Sequence, residues 1–244
     1  MCSKTTGDAS AFFKQTYMQG KGKNMTELEA INQRHSVRQF EKKPIDPAIV
    51  KQLTQKMDEV NKESGLHIQL FTDEPGAFLG NEAHYGQFSG CCNYFAVVGP
   101  KGKDETVGYY GQKLVLYAQT LGINSCWVAL TYKKGNVNVD AAAGEKLYIV
   151  IALGYGKTEG IQHKNKDLGK LSDLTSDSPE WYRKGVHAAL LAPTAMNQQK
   201  FRITRDGNKV SIKAGMGFYT KMDLGIVKYN FEVGAGKENF SFLD

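Results

Sequence analysis

Long apolar runs are missing from this chain. No stretch approaches the ~20 residues needed to cross a bilayer, and the N-terminus lacks the unbroken apolar core of a secretory signal. Cysteine is scarce and unpatterned. Cys2, Cys91, Cys92 and Cys126 form no C-x-x-C pair, and with only five histidines no zinc framework is spelled out. The expected compartment is therefore the reducing cytoplasm, with free thiols and no metal. Adjacent Cys91 and Cys92 read as small apolar core residues. There is no G-x-S-x-G elbow. Gly156-Lys157-Thr158 is not a phosphate loop, because Ile151 stands where the first glycine is required and no helix follows.

What is present bounds the class. With 244 residues and 41% apolar content, the chain can bury a core without disulfides. Its formal charge is +6, which suits either a polyanion or a pocket for a phosphorylated small molecule. A nucleic-acid module would gather its Lys and Arg on one face with aromatics between them. Here Asp and Glu interrupt the basic residues throughout, so no nucleic-acid partner is expected. Residues 1–24 are small, polar and Gly/Lys-rich, and read as a flexible leader or an added extension before a domain over 25–244.

Helix and strand signals then alternate. Thr26 with Glu29 caps a first helix. Asp46-Pro47 opens a second that runs to about Ser64, with Gly65 ending it. His67 to Phe71 reads as a strand, and 73–93 as a loop or lid. Phe95 to Val98 is a short strand. Val107, Gly111, Leu114, Val115 and Ala118 give a helical stripe stopped by Gly122. Ser125 to Thr131 and Leu147 to Leu153 are apolar strands, and Gly154 to Lys170 is a basic loop. Ser178-Pro179-Glu180 opens a helix to about Leu191. Phe201 to Thr204 is a strand turning at Asp206-Gly207 into Val210 to Lys213. A last helix spans about Thr220 to Val233. Helix-then-strand thus occurs twice, near 46–72 and 178–204, and the second copy carries an inserted stretch, Ala192 to Gln199. The class is α+β.

Four stretches carry polar chemistry. Arg34-His35-Ser36-Val37-Arg38 can turn two guanidiniums and a hydroxyl to one anion, as a strand or as a helix. Lys164 and Lys166 lie in a loop after an apolar strand and can close on a phosphate. Gly122 to Leu130 joins a helix to a strand, and Trp127 taken alone reads as core. Pro193-Thr194-Ala195-Met196-Asn197 offers a hydroxyl and an amide beside a proline-shaped backbone, which suits a heterocycle edge or a capping turn.

Together these stretches resemble the nitroreductase superfamily of FMN-dependent oxidoreductases. Arg34 to Phe40 is similar to its opening motif, Lys164-Asn165-Lys166 to its basic pair, and Ala192 to Gln198 to its A-P-S-x-x-N-x-Q loop. The resemblance implies a three-layer α/β/α sandwich with a mixed, mostly antiparallel sheet and an internal pseudo-two-fold repeat. It implies FMN as cofactor and NAD(P)H as donor. Turnover would be ping-pong, with a small nitroaromatic, quinone or similar acceptor. Arg34, His35, Ser36, Arg38, Lys164 and Lys166 would hold the ribityl phosphate. Trp127, Val128, Ala129 and Leu130 would lie at the reactive ring edge, and Pro193, Thr194, Ala195 and Asn197 at the far side of the ring. No side chain is assigned as acid or base. A flavin-binding protein without turnover is the first alternative, and a basic nucleic-acid-binding module the second.

The motif order departs from the family. The A-P-S-x-x-N-like loop comes last, where typical members place it early and share it across a homodimer. Pseudo-halves of about 25–171 and 172–244 are expected, the second standing in for a partner subunit. The chain would be a monomeric pseudo-dimer or a weak homodimer. Thr194 for serine keeps the hydroxyl; Lys200 removes an aromatic platform; Ala129 replaces an acid found in some members.

Overall fold

A computed structural model describes residues 25–243; the expected leader over 1–24 lies outside them. Helix α1 (Glu27–Gln33) begins with a reciprocal cap. The Glu29 amide donates to the Thr26 hydroxyl at 3.2 Å, and the Thr26 amide donates to the Glu29 carboxylate at 2.7 Å. Helix α2 (Pro47–Ser64) starts at Asp46, whose carboxylate accepts from the Ala48 amide at 2.8 Å. It ends at Gly65, where a φ of 68° needs a residue without a Cβ.

Strands β1 (His67–Phe71), β2 (Asn93–Pro100), β3 (Asn124–Val128) and β4 (Glu145–Gly154) form one sheet in the order β1-β2-β4-β3, every pair antiparallel. The inner strands alternate sides, as period-two geometry requires. Phe95, Val97, Ile149 and Ile151 face α2 and α4 (Asp104–Thr120). Tyr94, Ala96, Val150 and Ala152 face the other way. That second face is covered by the stretch read from sequence as a loop or lid. A 3-10 turn at Gly76–Phe78 and a short helix α3 (Asn81–Tyr85) place Ala77, Phe78, Ala83 and Phe88 on it. Five helical residues are too few to show a period.

Beyond a short turn of helix, α5 (Leu168–Leu171), the second part builds its own sheet. Strands β5 (Phe201–Asp206) and β6 (Lys209–Ala214) form a hairpin through Gly207, and β7 (Ser241–Phe242) pairs parallel to β6. Helices α6 (Glu180–Leu190) and α7 (Thr220–Ala235) pack against it through Tyr182, Val186, Phe231, Ile203 and Ile212. The fold is α+β with mostly antiparallel pairing, as expected. In each helix-strand copy the strand, β1 or β5, lies at a sheet edge and pairs antiparallel with the next strand.

Helices α4 and α7 join the parts at backbone contact. A Cβ added at Gly108 would sit 1.9 Å from the Met222 carbonyl oxygen, and one at Gly225 would sit 2.0 Å from that of Glu105. Polar groups extend the joint. The Gln112 amide donates to Asn230 Oδ1 at 2.9 Å, and Asn230 donates to the Ala188 carbonyl at 3.0 Å. These groups are buried, and their mutual pairing avoids the penalty of unsatisfied amides.

Substituting Gly225→Ala raises intrinsic helix propensity by about 1 kcal/mol but forces the helices apart. Overpacking of this kind costs about 1–3 kcal/mol or more. Thermal denaturation followed by circular dichroism should show a net fall in Tm of several degrees. A variant at or above wild-type Tm would contradict the crossing.

Candidate functional site

Residues 34–40 run extended between two neighbours. The Val37 amide donates to the Ser125 carbonyl at 3.0 Å, on β3. The Phe40 amide donates to Ser89 at 2.8 Å, and the Lys157 amide donates to the Gln39 carbonyl at 2.9 Å. Val37 and Phe40 anchor the segment in the core, which leaves Arg34, Ser36 and Arg38 on the wall of a cavity of 620 Å³. That volume suits a small molecule or cofactor.

Arg34 is only 3% exposed, and its Nη1 has no hydrogen-bond partner. Burial lowers its pKa from 12.5 to about 10, so it stays charged at neutral pH. A buried, charged and unpartnered donor is costly, and it fits an acceptor oxygen entering the cavity. Arg38 is exposed. Burial first, and then neighbouring Arg34, pushes the His35 pKa down.

The structure brings distant segments to this cavity. Arg34, His35, Ser36 and Arg38 are joined there by Trp127 and Ala129 and by Pro193, Thr194, Ala195 and Asn197. Trp127 is fixed from behind. Its ring lies where a Cβ on Gly111 would come within 2.4 Å, and its Nε1 donates to Gln112 at 3.3 Å. Val128 and Leu130 are not among the lining residues; Val128 is buried in the sheet core and Leu130 is exposed.

Lys164 and Lys166 are also absent from the wall. They tie down the loop opposite them in sequence. The Lys164 carbonyl accepts from Asn197 Nδ2 at 2.9 Å and Gln199 Nε2 at 2.8 Å. The Lys166 ammonium donates to the Gln198 carbonyl, and the Lys166 amide donates to Gln199 Oε1 at 2.9 Å. This stitching matters because Met196, Asn197 and Gln199 have φ of 52°, 51° and 41°. Such left-handed conformations cost side-chain-bearing residues energy and persist only when the surroundings hold them. His163, rather than the lysines, lines the cavity, with Nε2 3.0 Å from the Leu190 carbonyl oxygen.

Further wall residues are Tyr219, Met222, Asp223 and Ile226 at the start of α7, which sequence reasoning did not assign. The signal was there: an acid at 223 inside an apolar stripe spaced three to four residues apart. Asp223 is 6% exposed. It accepts from the Ala195 amide at 2.9 Å and from Gln198 Nε2 at 2.8 Å. Burial nonetheless pushes its carboxyl up from 3.8 to about 6, against the opposing pull of those two bonds.

Elsewhere, Cys91 and Cys126 are buried and free, and burial raises the Cys91 thiol to about 12. Among the described residues no cluster of His, Cys, Asp or Glu could hold a metal ion, and no helix is long and apolar enough to cross a membrane.

The class that fold and cavity define is that of the nitroreductases. The chain belongs to the family described as "Putative TM nitroreductase", whose model matches residues 26–235. Among solved structures, a Thermotoga maritima protein titled a "putative nitroreductase" is 20% identical, with a TM-score of 0.63 over 91% of this chain and 89% of that one. It shares the fold. A Desulfovibrio desulfuricans "putative nitroreductase in complex with FMN" is 14% identical, with a TM-score of 0.47 over 64% of this chain and 100% of that one. A nitroreductase-like protein of Streptococcus mutans is 12% identical, with a TM-score of 0.49 over 61% and 97%. No curated protein matches the chain.

The raised Asp223 carboxyl has a consequence for stability. A group with a higher pKa folded than unfolded binds more protons in the native state, so its contribution is full below about pH 4 and is lost as pH rises through about 6. Tm measured across this window should therefore fall more steeply for wild type than for Asp223→Asn. Parallel Tm profiles would show that Asp223 is not shifted.

Proposed function

We propose that this protein is an FMN-dependent oxidoreductase of the nitroreductase type, passing electrons from NAD(P)H to a nitroaromatic, quinone or similar small acceptor. The observation that carries the reading is Arg34: a buried guanidinium with an orphaned Nη1 on a cavity of cofactor size. When bound, FMN would supply the redox chemistry that links a nicotinamide donor to the acceptor in ping-pong order.

The residues present fit that group. Arg34 and Arg38 would bind its anionic or carbonyl oxygens, at about 1.5–3 kcal/mol for each charge-assisted bond. Ser36 adds a hydroxyl on the same segment. The Ala129 backbone, on the cavity wall, would place a preorganised dipole beside the cofactor. Trp127, held by Gln112, would give a rigid wall. Thr194 accepts from the Gln199 amide at 3.1 Å and keeps its own O–H free to donate. The Asn197 side chain is already engaged with Lys164 and Gln199, so it shapes the wall. Lys164 and Lys166 would act through the loop they hold.

A single chain would complete the site. Segments 34–38 and 193–197 reach one cavity without a second subunit, which supports residues 172 onward standing in for the partner half of a dimer. The separate sheet of β5–β7 favours the same division.

A visible spectrum of the purified protein tests the assignment. Wild type should be yellow and bleach on adding NAD(P)H. The double substitution Arg34→Ala/Arg38→Ala should give colourless protein, and full flavin retention would sink the assignment. Colour without bleaching would point to a flavin binder without turnover. Flavin released by denaturation should number one per chain; two per chain would refute the pseudo-dimer.

A further inference from the structure

Among the described residues, Asp223 is the one acidic side chain in the cavity wall. Its Oδ1 accepts from the Ala195 amide and its Oδ2 from Gln198 Nε2. Both donors belong to the 194–199 loop, so the loop side of the carboxyl is occupied by N–H groups. Each carboxyl oxygen keeps a further lone pair. A proton taken up there leaves both bonds standing. Gln198 cannot turn its carbonyl to receive that proton without losing a second bond, because Nε2 also donates to the Phe218 carbonyl at 2.6 Å. Protonated Asp223 is therefore an O–H donor whose two loop contacts are both N–H groups, on the wall of the cavity.

We propose that Asp223 is the proton donor to the electron acceptor bound in this cavity. The proposal rests on the oxidoreductase reading above. Hydride transfer to a quinone or nitro group leaves negative charge on an acceptor oxygen, and the electrons come from the reduced flavin cofactor. The Asp223 O–H bond breaks, a new O–H bond forms on the product, and the electron pair stays on the carboxylate. Water then restores the proton.

The surroundings suit the role. Met222 and Ile226 flank the carboxyl on the cavity wall, and burial places its titration at about 6, within reach of a general acid working near neutral pH. The titratable groups sharing the cavity are Arg34, His35 and Arg38 on the extended segment, His163 on the 155–167 loop, and Tyr219 before α7. The 194–199 loop contributes none, and α4 sends no residue to the wall. Two histidines share the cavity with Asp223, so the test must isolate Asp223.

Asp223→Asn keeps an oxygen for the Ala195 amide but carries no transferable acid proton. The two half-reactions are measured separately by stopped-flow absorbance. Flavin reduction by NAD(P)H needs no proton from the protein, so any loss there from a disturbed 194–199 loop should be far smaller than the loss in reoxidation. Reoxidation by a quinone should slow by at least about 100-fold. The wild-type reoxidation rate should fall as pH rises through about 6, and the variant should lack that fall. Equal loss in both half-reactions, or an unaltered reoxidation, overturns the proposal. A second readout needs neither flavin nor variant. Carboxyl-carbon NMR of unloaded wild-type protein should show Asp223 titrating near 6, and titration near the ordinary value of about 4 overturns the proposal. This measurement decides the matter should the Asn variant not fold. A protein that takes up no flavin overturns the oxidoreductase reading and the donor role together. A flavoprotein whose reoxidation ignores the substitution overturns the donor role alone.

Discussion

Two glycines let the central helices of this fold meet at backbone contact. At Gly108 and Gly225 the backbones of α4 and α7 approach until no side-chain carbon fits between them. Helix α4 also lies on the four-stranded sheet, and α7 on the three-stranded one. The crossing therefore sets the distance between the two sheets. It also sets the cavity, because the first turns of α7 carry Met222, Asp223 and Ile226 into a wall whose other side is the 34–38 segment fastened to β3. Through Trp127, Gln112, Asn230 and Ala188, one hydrogen-bonded chain runs from that wall across α4 and α7 to α6. Bonds buried this way are exacting about geometry, since any member left unpaired costs more than the pair contributes.

Around the cavity, the chain departs from what stability alone would select. It buries a guanidinium with an unpartnered Nη1 at Arg34 and a carboxyl at Asp223, and it bends three side-chain-bearing residues of the 194–199 loop into left-handed backbone. Each departure is costly. The loop is held by Lys164 and Lys166 from one direction and by Asp223 from another. A wall held this firmly keeps its shape without a ligand, which is the condition for a rigid binding surface.

Much of the fold was legible because it is written in local chemistry. Thr26 with Glu29, Asp46 with Pro47, and Gly65 mark helix ends through hydrogen bonds and φ preferences that act over a few residues. The structure realises all of them. The strand from His67 to Phe71 shows the same locality. The region 73–93 was not legible, because its short helix is stabilised by what it covers and not by its own period. The candidate site was legible in part. Arg34, Ser36, Trp127 and Pro193 lie in stretches that point to a site only when taken together, and all four line one cavity. Lys164 and Lys166 look the same in sequence whether their charges face a ligand or a neighbouring loop, and only the fold distinguishes the two.

By itself, then, the amino-acid sequence determined where the longer helices and most strands lie, the α+β class, and polar segments that meet in the cavity, because caps, periodicity and charged side chains are properties of short stretches. The tertiary structure alone decided that Asp223 joins the cavity wall, that the lysines hold a loop, and that residues 34–38 and 193–197 share one cavity. Those outcomes depend on how closely two helices far apart in sequence can approach, and that distance is set by the absence of a side chain at Gly108 and Gly225.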